Sequence, residues 1–211
     1  MLKLTPENLE SEGYLLLDKL EHKDLLPFVR KYLYQYSLWP IIYFAINIIL
    51  LALMGGLIGK SIASQQMETS KALGYTGLGF AFAFLLIPLH EYIHAVAYRI
   101  CGAKEVTFDA DFKKMVFMAM AHRFVTSSRE LIFIALAPIS FISMAILLFI
   151  PFTSGYQIYA ALGLLLTHSA FCGGDFAMLS YSYSHKDKTV VTWDDKVNKV
   201  SYFYGKSKGS L

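Results

Sequence analysis

Charge, cysteine and proline are scarce in this chain. Asp, Glu, Lys and Arg make up only 17% of its 211 residues, where an ordinary soluble domain carries about a quarter. With so little charge to cover a surface, a soluble globular domain fits poorly. The two cysteines, Cys101 and Cys172, cannot build a disulfide framework. No stretch interleaves Lys and Arg with aromatics into a compact basic patch, despite a net charge of +3, which argues against nucleic acid as a partner. The start, Met1-Leu2-Lys3-Leu4-Thr5-Pro6-Glu7, is polar and acidic. It does not read as a signal peptide, because no apolar core follows a basic start. There is no internal repeat.

Apolar sequence is abundant instead. Hydrophobic residues reach 55% and the mean hydropathy is +0.46, values of an integral membrane protein. Four apolar runs are each about twenty residues long, enough to cross a bilayer. They cover about residues 39–59, 75–99, 131–152 and 157–179. Residues 1–38 are polar with apolar punctuation. They read as one or two amphipathic helices, lying at a membrane surface or packed on the protein's own cytoplasmic face. Between the second and third runs, Val106, Phe108, Ala110 and Phe112 alternate with Thr107, Asp109 and Asp111, the period of a strand. The run Met115 to Ala121 that follows is too short to cross. Residues 104–121 therefore predict a β-hairpin, dipping into one leaflet or capping the cytoplasmic end of a bundle. In the polar tail, Val190, Val191 and Trp193, then Val200, Tyr202 and Tyr204, predict a second, soluble hairpin.

The fold expected from this pattern is an all-α polytopic membrane protein. Four transmembrane helices would carry a short cytoplasmic-side β-hairpin after the second. Residues 1–38 would be an N-terminal cytoplasmic segment, 39–180 the membrane domain and 181–211 a cytoplasmic tail. Lys and Arg alternate between rich and poor segments: five in the first 38 residues, none around Thr153–Tyr156, six in the tail. The positive-inside rule then puts both termini in the cytoplasm.

Inside the second run stands His90-Glu91-Tyr92-Ile93-His94, an H-E-x-x-H pattern. Residues four apart on a helix share one face about 6 Å apart along the axis, so two imidazoles from adjacent turns can close on one metal. Glu91 points about 100° away and can reach a water on that metal instead of the metal itself. Zinc with three protein ligands keeps a position for water and lowers its pKa to about 7. The alternative is an accidental polar cluster, and its cost is high, because a carboxylate near the bilayer centre costs about 2.5–3.5 kcal/mol. At 1.5 Å per residue, His94 and His90 lie about 7 and 13 Å from the cytoplasmic end of their helix, and Asp175 about 10 Å from the end of the fourth. Depth thus makes Asp175 a candidate third ligand, the other reading being an Asp near the interface hydrogen-bonded to a neighbouring helix. Cys172, one turn away, is the rival, since a thiolate suits zinc. His168 lies about 10 Å deeper on a straight helix and reads as a supporting or packing residue. His122 is a candidate to face substrate, whereas His22 and His185 read as surface residues.

An H-E-x-x-H near the cytoplasmic end of one span, an Asp two spans later and a hairpin after the first of these resemble the site-2 protease group of intramembrane zinc metalloproteases. The Leu136-Ala137-Pro138-Ile139 stretch and Gly173-Gly174-Asp175 are closer still to the membrane zincin peptidases, a bacterial branch. The resemblance covers about residues 75–180. It implies Zn2+ held by His90, His94 and Asp175, with Glu91 as catalytic base. Site-2 proteases usually carry Asp-Gly at the third ligand, whereas here Gly-Gly precedes Asp175 and Phe176 follows it. The function this implies is hydrolysis of peptide bonds in membrane-associated substrates near the cytoplasmic face of a bacterial cytoplasmic membrane. Its partners would be a membrane-protein or peptide substrate and the lipid bilayer. Two alternatives stand beside it: a non-catalytic zinc-stabilised scaffold, and a zinc hydrolase of a lipid-like substrate.

Overall fold

A computed structural model describes residues 4–64, 68–111 and 116–209. The chain forms two compact units. One comprises Met1–Pro40, Glu91–Ala137 and Gly174–Leu211, the other Ile41–His90 and Pro138–Gly173.

The first unit carries a four-stranded antiparallel sheet. Its strands are β1 (Leu15–Glu21), β4 (Thr126–Ser127), β5 (Lys188–Asp195) and β6 (Val200–Ser207), in the order β1-β6-β5-β4. The β5–β6 hairpin is the one expected from the alternation around Val190 and Tyr202. At its turn the Asp195 carboxylate accepts from the backbone N–H groups of Val197 and Asn198, at 2.9 and 3.1 Å, which lets the chain reverse without losing those bonds. One side of the sheet is closed by rings. Phe28 and Tyr32 of α1 (Leu25–Leu33) and Tyr181 of α7 (Gly173–Ser184) pack around Phe203, with the Tyr181 and Phe203 centroids 4.2 Å apart. A second small core joins Leu9, Tyr14 and Val191.

This sheet corrects the all-α expectation. The structure is mixed, with two antiparallel sheets beside its helices. Residues 15–21, expected to be helical, are β1. The sequence Leu15-Leu16-Leu17-Asp18-Lys19-Leu20-Glu21 has neither a clean helical nor a clean strand period, and pairing decides it. Leu16 lies opposite Tyr204, and Leu20 opposite Ser201.

The other sheet is the expected hairpin. β2 (Val106–Asp111) pairs with β3 (Val116–Ala121), Val106 opposite Ala121 and Asp111 opposite Val116. Phe112 and Met115, part of that expectation, lie outside the described residues. The hairpin is tied to the β5–β6 turn by ion pairs Lys199–Asp109 (2.7 Å) and Lys196–Glu105 (3.3 Å).

In the second unit, which α2 (Leu38–Ser64) enters at Ile41, α3 (Thr69–Leu85) packs on α6 (Gln157–Phe171). Small residues allow the closest approach. A Cβ on Gly79 would lie 2.1 Å from the Ala160 carbonyl oxygen, so only glycine fits there. Asn47, polar in an apolar helix, accepts from Ser169 Oγ at 2.9 Å and so links α2 to α6.

Two helices, Leu38–Ser64 and α5 (Ser128–Phe149) with the single turn that extends it to Phe152, are long and apolar enough to cross a membrane. The remaining apolar sequence forms two broken pairs, α3 with α4 (Ile87–Ile100) and α6 with α7, bent by 44° and 41°. Among the described residues there are therefore two candidate spans, or up to four if each bent pair counts as one. The first break falls at Leu86, just before Pro88, whose missing N–H cannot continue the ladder of α3.

Candidate metal centre

α4 runs unbroken through His90 and His94, so the helix itself sets their spacing. Both side chains are buried, each residue 8% exposed. The His94 ring is held on both sides. Its Nδ1–H donates to the Ile134 carbonyl at 2.9 Å, which makes Nε2 the lone-pair nitrogen of the neutral ring. Nε2 points at Asp175 Oδ1, 3.1 Å away. A lone pair facing a carboxylate is repulsive, so a cation belongs between them: a proton or a metal ion.

The Ile134 carbonyl is available for a local reason. In an α-helix it would accept from the N–H of residue 138. Residue 138 is Pro138, inside α5, and it has no N–H to give. The proline thus releases an acceptor that His94 takes. Sequence reasoning singled out Pro138 but missed this role. The available signal was a proline four residues after Ile134 in a helix that must face the motif. Replacing Pro138 with Ala restores a competing donor for the Ile134 carbonyl and loosens the tautomer of His94. Zinc affinity should fall by about 10–100-fold, the usual loss when such an outer partner is removed. A competition titration against a chelator measures it, and an unchanged affinity would rule out the carbonyl as an orienting group.

Asp175 sits in the first turn of α7, where the positive end of the helix dipole favours a carboxylate. The Gly173-Gly174 pair precedes it at the helix break. A Cβ on Gly174 would touch nothing within 4 Å, so close approach of another backbone does not explain that glycine. The break divides the single span that the sequence predicts over residues 157–179. His168 and Cys172 belong to the end of α6, Asp175 to the start of α7.

Two sets of donors result among the described residues. In one, His94 faces Asp175 within the first unit and His90 lies one turn earlier on the same helix; in the other, His90, His168 and Cys172 of the second unit each offer one ligand atom within 4.8 Å of one another. The first set, two imidazole nitrogens and a carboxylate oxygen, is the donor chemistry of a hydrolytic zinc site that keeps a position open for water. Zinc fits it. Glu91 follows His90 on α4, half-buried and about 100° further round the helix.

The other histidines lie elsewhere. His122 Nδ1 accepts from the Lys196 N–H at 3.2 Å, beside the β5–β6 turn. His185 contacts the Tyr181 carbonyl at 3.1 Å. His22, expected at the surface, is half-buried near Ser201, and burial lowers its pKa. Ser201 donates to Asp194 at 2.6 Å, and burial pushes the Asp194 carboxyl up to about 6.

A family model described as "Putative zincin peptidase" matches residues 83–190, slightly more than half of the chain. The chain belongs to this family. The matched stretch of this zincin-family protein begins in α3 and ends in β5, and it takes in His90, Glu91, His94, Pro138 and Asp175. Family membership points to a zinc peptidase. Comparison with curated proteins and with solved structures gave no match.

Proposed function

We propose that this zincin-family protein is an intramembrane zinc metallopeptidase that cuts membrane-associated polypeptides near the cytoplasmic face. The observation that carries the reading is the doubly held His94, tied to Ile134 through one nitrogen and aimed at Asp175 through the other. With His90 one turn away, these side chains would hold zinc. Zinc, when bound, supplies the Lewis acidity that activates water and polarises a carbonyl. Glu91 takes the proton from the attacking water and returns it to the leaving amine. The β2–β3 hairpin has only two strands among the described residues, and an outer edge could hold an extended substrate by strand addition. The likeness to the site-2 proteases rests on the motifs alone and supports this reading at the level of chemistry.

Purified protein, supplied with membrane-derived peptides in detergent, should cleave them. A chelator should abolish cleavage and added zinc should restore it. Cleavage that persists after complete metal removal would sink the reading, and release of fatty acid or headgroup without peptide products would make the protein a lipid hydrolase.

We also place both termini in the cytoplasm, from the Lys and Arg alternation. Reporter fusions at Ser154 and at the C-terminus should then report opposite sides of the membrane. The same side for both would overturn this orientation.

A further inference from the structure

We propose that His90, His168 and Cys172 form a second metal site, a thiolate-containing one that shares His90 with the hydrolytic set. His90 is 8% exposed, His168 1% and Cys172 0%. His168 and Cys172 are four residues apart at the C-terminal end of α6, where Cys172 caps the helix. His90 Nδ1 lies 3.3 Å from His168 Nε2. A tetrahedral zinc ion with nitrogen at about 2.0–2.1 Å and sulfur at about 2.3 Å sets its ligand atoms roughly 3.3–3.6 Å apart. The nitrogen pair already has that spacing. The thiol donates to the His168 carbonyl at 3.3 Å, and all three ligand atoms fall within 4.8 Å of one another.

The competing account is a core cluster whose hydrogen bonds simply satisfy one another. Hydrogen bonding alone, however, does not require two imidazoles and a thiol at one buried point, whereas coordination does. Two nitrogens and a sulfur select zinc, cobalt(II) or copper(I) over magnesium and calcium. Binding needs the thiolate, so the Cys172 proton is released to solvent and no electron moves. An imidazole nitrogen serves one metal at a time. Metal on Cys172 that takes the His90 nitrogen used by the hydrolytic set would compete with that set, whereas metal on the other ring nitrogen would leave His90 bridging the two sets.

The test uses the full chain, with cobalt(II) as the probe. In a His94→Ala, Asp175→Ala variant the hydrolytic set is gone and the second set is intact. Cobalt should bind at one per chain and give the near-ultraviolet charge-transfer band of a cobalt thiolate. Cys172→Ser and His168→Ala, added separately, should each remove the band. In a Cys101→Ser background, bound metal should also protect the remaining thiol from alkylation, with circular dichroism confirming the fold. Cobalt bound without the band, or a Cys172 thiol equally reactive with and without metal, overturns the proposal. The outcome is separable from that of the hydrolytic reading. A thiolate band here, together with metal-independent cleavage by the wild-type protein, would sink the enzyme mechanism and leave this site standing.

Discussion

Glu91→Gln should leave zinc bound and stop turnover. The substitution keeps the length and shape of the side chain and removes its capacity to accept a proton. Glu91 is next to His90 on α4, so its side chain leaves the helix about 100° away from the imidazole and cannot share its metal position. In the proposed mechanism it serves a proton held by water, not the metal. Loss of a general base costs about 10²–10⁴-fold in rate, while metal content should stay near that of the wild type. The variant should retain substrate long enough for crosslinking to trap it, and a trapped membrane polypeptide would identify the substrate class. Zinc lost with Glu91 would make the carboxylate structural. If a cellular phenotype depended on His90 and His94 but ignored Glu91→Gln, the protein would be a zinc-stabilised scaffold and not a hydrolase.

The parts of the site that were legible in the sequence are those fixed by local geometry. His90 and His94 needed only the helical repeat and an apolar setting. Asp175 came from a depth count, and the structure does bring it to His94, although the count assumed a straight helix that is in fact broken before Gly173. The same count put His168 about 10 Å deeper than Asp175, as a supporting or packing residue, and it meets His90 at 3.3 Å. A break of that kind has a weak signature, since Gly-Gly also occurs where helices pack. The fold was less legible for a different reason. β1 is a strand because β6 lies beside it, and Leu15 finds Gly205 across nearly the whole chain. No window contains both partners. β4 is two residues long and exists only through Val191 and Thr192 of β5. The start of α5 has a local signature. Ser127 and Glu130 close a capping box, with Glu130 Oε2 accepting from the Ser127 N–H at 2.7 Å, the pattern that S-x-x-E before an apolar run announces.

Asp175→Ala should cost most of the zinc affinity of the hydrolytic set, and Cys172→Ser almost none of it. The two residues competed for the third ligand position on sequence grounds alone, being three apart. The structure separates them by partner. Asp175 faces His94 Nε2 at 3.1 Å, while the Cys172 thiol turns to the His168 carbonyl at 3.3 Å. A zinc site of four ligands is worth about 10–16 kcal/mol, so one ligand accounts for roughly 2.5–4 kcal/mol. At about 1.4 kcal/mol per decade, Asp175→Ala should weaken binding by about 10²–10³-fold. The measurement belongs in a Cys172→Ser background, so that metal displaced from Asp175 cannot move to the sulfur. Asp175→Asn separates charge from geometry. It keeps an oxygen at the same place but removes the charge that neutralises the metal, so its affinity should fall between those of Asp175 and Ala. If Asp175→Ala binds zinc as tightly as the parent, the carboxylate is only the hydrogen-bond partner of a protonated His94. The hydrolytic set would then have to find its third ligand elsewhere.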